Sequence, residues 1–215
     1  MKNVLIIYTG GTIGMTRTEN GYAPQSGQFR RAMEAIPDLY AEQMPRWDML
    51  EMDPLLDSSN MTVHEWNKIA QLVADHYDAY DGFVVLHGTD TMAYTAAALS
   101  YMVQNSAKPV VLTGSQKSIY NRDTDARNNL YRAFVYAVSD GAWGVQLVFD
   151  NKVILGTRAR KTRTRSFNAF SSIDYPETAV FRDTRLVTFL RRPTDQPPVR
   201  FYERLEPAVF VLRLV

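Results

Sequence analysis

Two short turns rich in glycine and threonine are the residues of this sequence best suited to do chemistry. The first, TGGTIG at residues 9–14, directly follows the apolar run VLIIY at residues 4–8; the second, HGTDT at residues 87–91, directly follows FVVL at residues 83–86. A threonine hydroxyl becomes a useful nucleophile only when a base takes its proton and a tight turn exposes it, and glycine permits such turns. Neither a G-x-G-x-x-G fingerprint nor a P-loop is present. The pattern therefore favours acyl transfer through a threonine over phosphate or dinucleotide binding.

Each turn also has an ordinary structural interpretation. Thr12 fits a strand-to-helix turn in which its hydroxyl caps the next element, and Thr89 or Asp90 fits the N-terminus of the following helix. In the chemical interpretation, Asp90 could bind a substrate ammonium through charge-assisted hydrogen bonds, and a single lysine could orient and activate Thr89. Spacing alone leaves both interpretations open.

The two apolar runs have the length and continuity of strands that are covered on both faces, as in parallel sheets. Because ligands bind outside the carboxyl ends of such strands, we expect the two turns to share one pocket. Strands that alternate with helices favour βαβ units. The predicted fold class is therefore α/β, with a mostly parallel sheet flanked by helices and a hairpin near residues 145–155. The other predicted elements are helices over residues 28–36, from residue 62, over 91–104 and over 125–138, and a strand over 109–113.

The stretch between the first turn and the first predicted helix is polar and lacks apolar periodicity. Residues 16–27 contain the pairs Asn20-Gly21 and Ala23-Pro24. Such a composition predicts a long mobile loop, and loops of this length in compact domains are commonly functional lids.

Composition narrows the class of protein and its compartment. The chain has 215 residues with 46% hydrophobic content, enough for one substantial core. Its net charge of +1 provides no overall field that would attract nucleic acid or a membrane. The absence of cysteine excludes disulfides, thiolate nucleophiles and cysteine-built zinc sites. No signal-peptide pattern and no apolar run of membrane-spanning length are seen, so we expect a cytoplasmic protein.

The C-terminal part differs in composition from the rest. We expect one α/β domain over residues 1–190, an extended proline-containing linker over 191–207 and the first strand of a further domain over 208–215. A chain that ends within a strand is expected to be a domain cut from a longer protein. The unpaired edge of that strand predicts a dimer or self-association.

A single dense basic run lies after the predicted hairpin, at Arg158, Arg160, Lys161, Arg163 and Arg165. A nucleic-acid interface needs a basic face with stacking aromatic residues nearby, and none is interleaved here. A solvated loop is favoured, from which one lysine could turn inward. The three histidines have no metal-ligand spacing, and no metal site is expected.

Taken together, these residues resemble the bacterial-type L-asparaginases, and in particular their cytoplasmic type I group. The anchors are residues 9–14, 20–24, 57–62 and 87–92 and the segment around Lys161, in that order and at matching intervals. The resemblance extends over essentially the whole chain. It implies the three-layer sandwich of the asparaginase N-terminal domain.

The resemblance also implies catalytic roles. Thr12 matches the primary nucleophile, which forms an acyl-enzyme with the substrate amide carbon. Tyr22 matches the tyrosine whose hydroxyl assists Thr12. Thr89, Asp90 and Lys161 match a second triad, in which the lysine favours ionisation of the threonine and the aspartate also binds the substrate amino group.

Substrate binding and the overall reaction follow from the same resemblance. Asp57, Ser58 and Ser59 match the segment that holds the substrate α-carboxylate, and the backbone amides near Gly88 and Thr89 are candidates for the oxyanion site. The implied reaction is hydrolysis of L-asparagine to L-aspartate and ammonia, without metal or cofactor, in a homodimer or homotetramer.

The chain departs from the family pattern in two respects. The family has a second, smaller domain that contributes to the active site, so a catalytically silent oligomerising fragment is one alternative. The amidase subunit of a tRNA-dependent amidotransferase, which usually carries an additional N-terminal domain, is another. Arg160 stands where type I enzymes place a small hydroxyl residue of an allosteric pocket, so allostery is not implied. The choice between asparagine and glutamine is not fixed by the sequence.

Overall fold

The computed structural model describes residues 1–19 and 21–212. The helices are α1 (Gln28–Glu34), α2 (Val63–Asp75), α3 (Met92–Met102) and α4 (Ala126–Ala137). The strands are β1 (Asn3–Gly10), β2 (Met15–Thr18), β3 (Gly21–Pro24), β4 (Arg46–Leu56), β5 (Gly82–Leu86), β6 (Val103–Gln104), β7 (Val110–Thr113), β8 (Val145–Phe149), β9 (Lys152–Leu155), β10 (Ala159–Lys161), β11 (Phe170–Ser172), β12 (Ala179–Arg182), β13 (Arg185–Thr188) and β14 (Arg200–Phe201). Short 3-10 turns span Thr12–Gly14, Pro37–Tyr40 and Ser58–Asn60.

The centre of the fold is an eight-stranded sheet in the order β13-β12-β9-β8-β7-β5-β1-β4. Five neighbouring strands of this sheet run parallel, namely β8, β7, β5, β1 and β4. Strands β9, β12 and β13 extend the sheet with antiparallel pairs. The predicted mostly parallel α/β sheet is therefore confirmed. The hairpin predicted near residues 145–155 is confirmed as the β8–β9 pair.

Helices cover both faces of the parallel strands, and alternate strand residues reach opposite layers. On β1, Val4 and Ile6 pack in the layer that contains α1 and α4. Leu5 and Ile7 pack in the layer that contains α2 and α3. Burial on both faces explains why β1 is an uninterrupted apolar run rather than an alternating one.

Helix α2 begins at a capping box formed by Thr62 and Glu65, next to the start predicted at residue 62. The Thr62 hydroxyl accepts a hydrogen bond from the amide of His64 at 3.2 Å, and the Glu65 carboxylate accepts one from the amide of Thr62 at 2.8 Å. These bonds satisfy backbone donors that have no partner inside the helix. Ile69 and Val73 then lie on the buried face of the helix.

Strand β4 has 11 residues, and the sequence analysis missed it. Only Met49 and Met52 of its residues are buried, because β4 is the edge strand beside β1 and half of its surroundings are solvent. Because charged residues interrupt it, β4 has no continuous or alternating apolar pattern of the kind from which strands are predicted. The strand matters for the site because its carboxyl end leads directly into Asp57.

The loop prediction for residues 16–27 is wrong over most of its length. Strands β2 and β3 form an antiparallel hairpin in which Arg17 pairs with Tyr22, and the Thr18 hydroxyl donates to the carbonyl of Gly21 at 2.8 Å. The hairpin is held by backbone pairing with few buried side chains, so it leaves no apolar pattern. An Asn-Gly pair is itself a hairpin signal, although Asn20 lies outside the described residues.

The segment after the central sheet returns to pack on the domain. Strand β14 pairs with β6, and the ring of Phe201 meets that of Tyr77 edge-on, with their centroids 5.2 Å apart. Residues 208–212 form no strand, and residues 213–215 of the strand predicted over 208–215 lie outside the described residues. The division into a domain over 1–190, a linker over 191–207 and a further strand stays a prediction.

Candidate active site

Three turns meet at the carboxyl edge of the sheet, after β1, β4 and β5. Gly11 has a φ of +80°, and a Cβ there would overlap the backbone of Gly88. A Cβ at Gly88 would in turn lie only 2.6 Å from the Ser58 hydroxyl oxygen. The Gly11 amide donates to the carbonyl of Leu56 at 2.9 Å. The turns carrying Thr12, Ser58 and Thr89 are thus in direct contact, and they approach this closely because glycine lacks a Cβ.

Thr12 opens the 3-10 turn and is half-buried. Its neighbour Thr9 is buried, and its hydroxyl donates to the carbonyl of Leu86 at 2.9 Å, which ties β1 to β5. Thr9 therefore has a structural contact, whereas Thr12 faces a small cavity of about 200 Å³. The lining of that cavity is Thr12, Met15, Tyr22, Gln116, Lys117, Ser118 and Asn121.

Tyr22 reaches this cavity from β3, and 68% of the residue is exposed. The structure thereby brings the two residues of the predicted nucleophile pair, Thr12 and Tyr22, to one cavity from separate elements. The hairpin is held at its base by the Glu51 carboxylate, which accepts hydrogen bonds from the Ser26 hydroxyl at 2.7 Å and the Gly27 amide at 2.9 Å.

Lys161 joins the second threonine turn from a strand more than 70 residues further along the chain. Its ammonium nitrogen donates to the Thr89 hydroxyl oxygen at 2.8 Å and to the Asp90 carboxylate at 2.7 Å. The Lys161 side chain is 14% exposed, whereas that of Asp90 is 68% exposed. The prediction that one lysine of the basic run turns inward is confirmed, since the arginines at 158, 160, 163 and 165 remain exposed.

The segment predicted to hold a carboxylate is ordered by its own hydrogen bonds. Asp57 Oδ1 accepts from both the amide and the hydroxyl of Ser59, each at 2.9 Å. Ser58 is buried against Gly88, and its carbonyl accepts from the Thr91 hydroxyl at 2.7 Å. The turn is therefore held by hydrogen bonds within residues 57–59 and by a hydrogen bond to Thr91, which precedes α3.

A buried relay of hydrogen bonds lies beneath the Thr89 turn. The Trp66 indole donates to the Thr95 hydroxyl at 2.8 Å, Thr95 donates to His87 Nε2 at 2.9 Å, and His87 Nδ1 donates to the Gly88 carbonyl at 2.8 Å. The direction is fixed because an indole can only donate and a carbonyl can only accept. Burial lowers the pKa of His87 to about 4, against the opposing effect of its bond to Gly88, so the ring is neutral.

The relay also determines where the following amide points. The Gly88 carbonyl is turned toward the His87 ring, and in a trans peptide the next N–H points the opposite way. The backbone N–H of Thr89 is therefore directed away from the buried relay. The sequence analysis took His87 for a turn residue and did not anticipate this connection.

A further turn, after β7, completes the edge. The Ile119 amide donates to the carbonyl of Ile13 at 2.9 Å and the Ser118 hydroxyl to that of Met15 at 2.7 Å, which docks this turn on the Thr12 turn. The Gln116 side-chain oxygen accepts from the Thr89 hydroxyl at 3.2 Å. Sequence analysis missed Gln116. The available signal was its position directly after a buried strand of the same parallel sheet.

The described part of the chain offers neither a metal cluster nor a helical membrane span. Within residues 1–19 and 21–212, no group of three or more histidine, aspartate or glutamate side chains is arranged to hold a metal ion. Over the same ranges, no helix combines the length and the apolar character needed to cross a membrane.

These features define a three-layer α/β domain that holds two threonine turns and an inward-facing lysine at one edge of its sheet. The chain belongs to the asparaginase family: residues 3–194 match the family model described as Asparaginase, N-terminal. The recognition made from the motifs is thereby confirmed.

Curated relatives carry several names. L-asparaginase 1 of Escherichia coli strain K12 is 45% identical over 175 residues, which are 81% of this chain and 52% of that protein. The 60 kDa lysophospholipase of Mus musculus is 37% identical and aligns with 99% of this chain and 42% of its own length. A glutamyl-tRNA(Gln) amidotransferase subunit of Thermococcus kodakarensis is 34% identical, with coverages of 100% and 50%. The chain thus spans about half the length of the curated relatives it matches.

Solved structures agree on the fold. L-asparaginase I from Vibrio cholerae superposes with a TM-score of 0.84 at 38% identity, covering 94% of this chain and 61% of that one. The probable cytoplasmic L-asparaginase from Campylobacter jejuni gives a TM-score of 0.78 at 26% identity, with coverages of 91% and 59%. Both likenesses support the α/β architecture.

Proposed function

We propose that this protein is an L-asparagine amidohydrolase, which releases L-aspartate and ammonia through a threonine nucleophile. The observation that carries the proposal is the Lys161–Thr89–Asp90 cluster, which meets the Thr12 turn through the Gly11–Gly88 contact. A reactive hydroxyl and a hydroxyl paired with a lysine thus lie on touching turns. The L-asparaginases of Escherichia coli and Vibrio cholerae support the choice of substrate.

In the first half-reaction, the Thr12 hydroxyl oxygen attacks the side-chain amide carbon of asparagine. Tyr22, at the same cavity, assists removal of the Thr12 proton, which passes to the departing nitrogen so that ammonia leaves and an acyl-enzyme remains. The negative charge that develops on the substrate oxygen is stabilised by backbone amides. The Thr89 N–H suits this role because the peptide that carries it is fixed by His87.

In the second half-reaction, water attacks the acyl carbon, and Thr12 leaves with its proton restored. Thr89 and Lys161 favour this step because the Lys161 ammonium donates to the Thr89 hydroxyl and polarises it, and Thr89 orients the attacking water near the acyl carbon. Asp90, exposed beside Lys161, binds the substrate ammonium. The turn of Asp57, Ser58 and Ser59 holds the α-carboxylate. The sum of the two half-reactions is one amide bond hydrolysed by one water, with no metal or cofactor.

The assembly and the compartment belong to the same proposal. We infer a homodimer or homotetramer, in which a second copy of the chain covers the exposed side of Asp90. A cytoplasmic location is supported by the description of the Campylobacter jejuni relative. The arginines of the basic run are spread over an exposed edge, and we assign them no nucleic-acid or membrane partner.

Two other functions remain as alternatives. A silent fragment would keep the threonine turns and hydrolyse nothing. An amidase role within a tRNA-dependent amidotransferase is favoured by the match to the Thermococcus kodakarensis amidotransferase, which covers the whole chain. The identity to that protein is lower than to the Escherichia coli L-asparaginase, 34% against 45%, so hydrolysis of free asparagine is the preferred function.

The deciding experiment measures ammonia release from L-asparagine by the purified protein and by Thr12→Ala. Loss of the hydroxyl is expected to lower turnover by about 10³-fold or more, because Thr12 is the proposed nucleophile that forms the acyl-enzyme. The matched control is Thr184→Ala, which removes an exposed hydroxyl in the β12–β13 turn and is expected to leave turnover unchanged. Near-normal activity of Thr12→Ala would contradict the nucleophile assignment. A folded wild-type protein without activity would favour the silent fragment.

A further inference from the structure

The side chain of Gln116 connects the Thr89 hydroxyl with the loop that follows β10. Its oxygen accepts from the Thr89 hydroxyl at 3.2 Å, and its nitrogen donates to the carbonyls of Thr164 at 3.1 Å and Ser166 at 3.0 Å. Because backbone carbonyls can only accept, these two bonds determine which end of the amide is the nitrogen. The oxygen of Gln116 must therefore face Thr89.

The backbone of Gln116 is fixed as firmly as its side chain. The Asp125 carboxylate accepts from the amide of Gln116 at 2.9 Å and from that of Lys117 at 3.0 Å. Asn129 donates to the same carboxylate at 3.2 Å, and Asp125 is buried. The turn therefore has little freedom to move its side chain away from Thr89.

The Thr89 hydroxyl has one proton and two polar side-chain neighbours. Lys161, as an ammonium, only donates to it, so the proton of Thr89 is directed to Gln116 and a lone pair faces Lys161. A hydroxyl that donates to one partner accepts more strongly from another, because hydrogen bonds in a chain polarise one another. Gln116 thus sets both the direction and the strength of the Thr89–Lys161 contact.

We propose that Gln116 is a positioning residue that orients the Thr89 hydroxyl and couples it to residues 164–166. The inference deepens the proposed amidohydrolase function and rests on it. Gln116 acts through Thr89: it fixes the direction in which that hydroxyl points beside the Lys161 ammonium. The loop after β10, which Gln116 holds through two carbonyls, is thereby connected to the same hydroxyl.

Two substitutions separate the two ends of the amide. Gln116→Met removes both the acceptor and the donor, and we expect kcat to fall about 10-fold, the effect of losing one orienting hydrogen bond, with KM changed less than about 3-fold. Gln116→Glu keeps an acceptor for Thr89 and loses the donor to the loop. We expect it to restore kcat to within about 3-fold of the wild type. Gln71→Met, on the exposed face of α2, is the matched control.

Amide hydrogen exchange of residues 163–168 provides a second readout that needs no turnover. Exchange is expected to become faster in both Gln116→Met and Gln116→Glu and to stay unchanged in Gln71→Met. If the wild type releases no ammonia, the proposed function fails, while exchange still tests the connection to the loop. Where Gln116→Met does not fold, Gln116→Asn, whose shorter side chain cannot span both partners, takes its place.

Three results would overturn the inference. Wild-type kcat in Gln116→Met would show that Thr89 needs no orienting partner. An equal loss of kcat in Gln116→Met and Gln116→Glu would assign the effect to the loop rather than to the hydroxyl. Unchanged amide exchange at residues 163–168 in both variants would show that Gln116 is not coupled to this loop.

Discussion

Lys161 is the side chain on which the second threonine depends most directly. Its nitrogen lies within 2.8 Å of both the Thr89 hydroxyl and the Asp90 carboxylate, and its stem is largely enclosed. Lys161→Met keeps the length of the stem and removes the charge. We expect turnover to fall by about 10²-fold or more and the pH–rate profile to change shape, because one proton-transfer group has left the site.

The matched control for Lys161 is Lys2→Met, which removes a lysine that pairs with Asp140 at the surface. Steady-state ammonia release across a range of pH is the measurement. A Lys161→Met enzyme with the turnover and pH profile of the wild type would contradict the role given to this lysine.

At the scale of residues, the composition of the two turns predicted that Thr12 and Thr89 could do chemistry, and the family resemblance added Lys161. The structure brings Lys161 to the Thr89 hydroxyl, and the catalytic roles stay predictions. Gln116 and the relay through His87 could not be found in this way. Their roles depend on contacts between side chains that lie on different elements, which local spacing does not encode.

Among the elements, the β2–β3 hairpin contacts the rest of the domain at its base through a charged side chain. The Glu51 carboxylate accepts from Ser26 and Gly27 at the base of the hairpin, and charge-assisted bonds are about twice as strong as neutral ones. Glu51→Gln is expected to make amide exchange of residues 15–27 about 3- to 10-fold faster. KM for asparagine is expected to rise by a similar factor, because Tyr22 is then held less firmly over the cavity.

The control for the hairpin is Glu42→Gln, an exposed glutamate whose substitution is expected to leave exchange at the hairpin unchanged. Hydrogen exchange followed by mass spectrometry tests both variants. Unaltered exchange in Glu51→Gln would mean that backbone pairing within the hairpin is sufficient to hold it.

Some correctly predicted elements carry strong local signals, namely burial on both faces or a capping sequence. Strands β1 and β5 and helix α2 have such signals. Strand β4 and the hairpin lack them, because an edge strand and a two-stranded ribbon satisfy their backbones while most of their side chains face water. Both missed elements border the site, since β4 delivers Asp57 and the hairpin carries Tyr22.

For the whole molecule, the stability should depend on pH through His87. Burial lowers its pKa from 6.5 to about 4, so between these values the unfolded chain binds a proton that the folded one does not. The free energy of unfolding therefore decreases as pH falls through this range. The loss from this residue is about 3 kcal/mol at most.

Urea unfolding of the wild type and of His87→Asn at a series of pH values between 4 and 7 tests this expectation. The asparagine side chain offers a donor for the Gly88 carbonyl and does not titrate. The slope of the free energy of unfolding against pH is therefore expected to be smaller in this variant, by the equivalent of about one bound proton. The contribution of Asp125, whose pKa is raised by burial, is common to both proteins. Parallel curves would show that His87 does not determine the acid sensitivity.

The contact of Gly11 with Gly88, and of Gly88 with Ser58, has a consequence for how such a protein can diversify. A single added methyl group at either glycine would push apart the turns that carry Thr12, Ser58 and Thr89, so substitutions at these two positions are expected to be poorly tolerated. The rim formed by the hairpin and by the exposed arginines near Lys161 is under no such constraint. Substitutions at this rim can therefore change the surroundings of the turns while the contact between Gly11 and Gly88 stays the same.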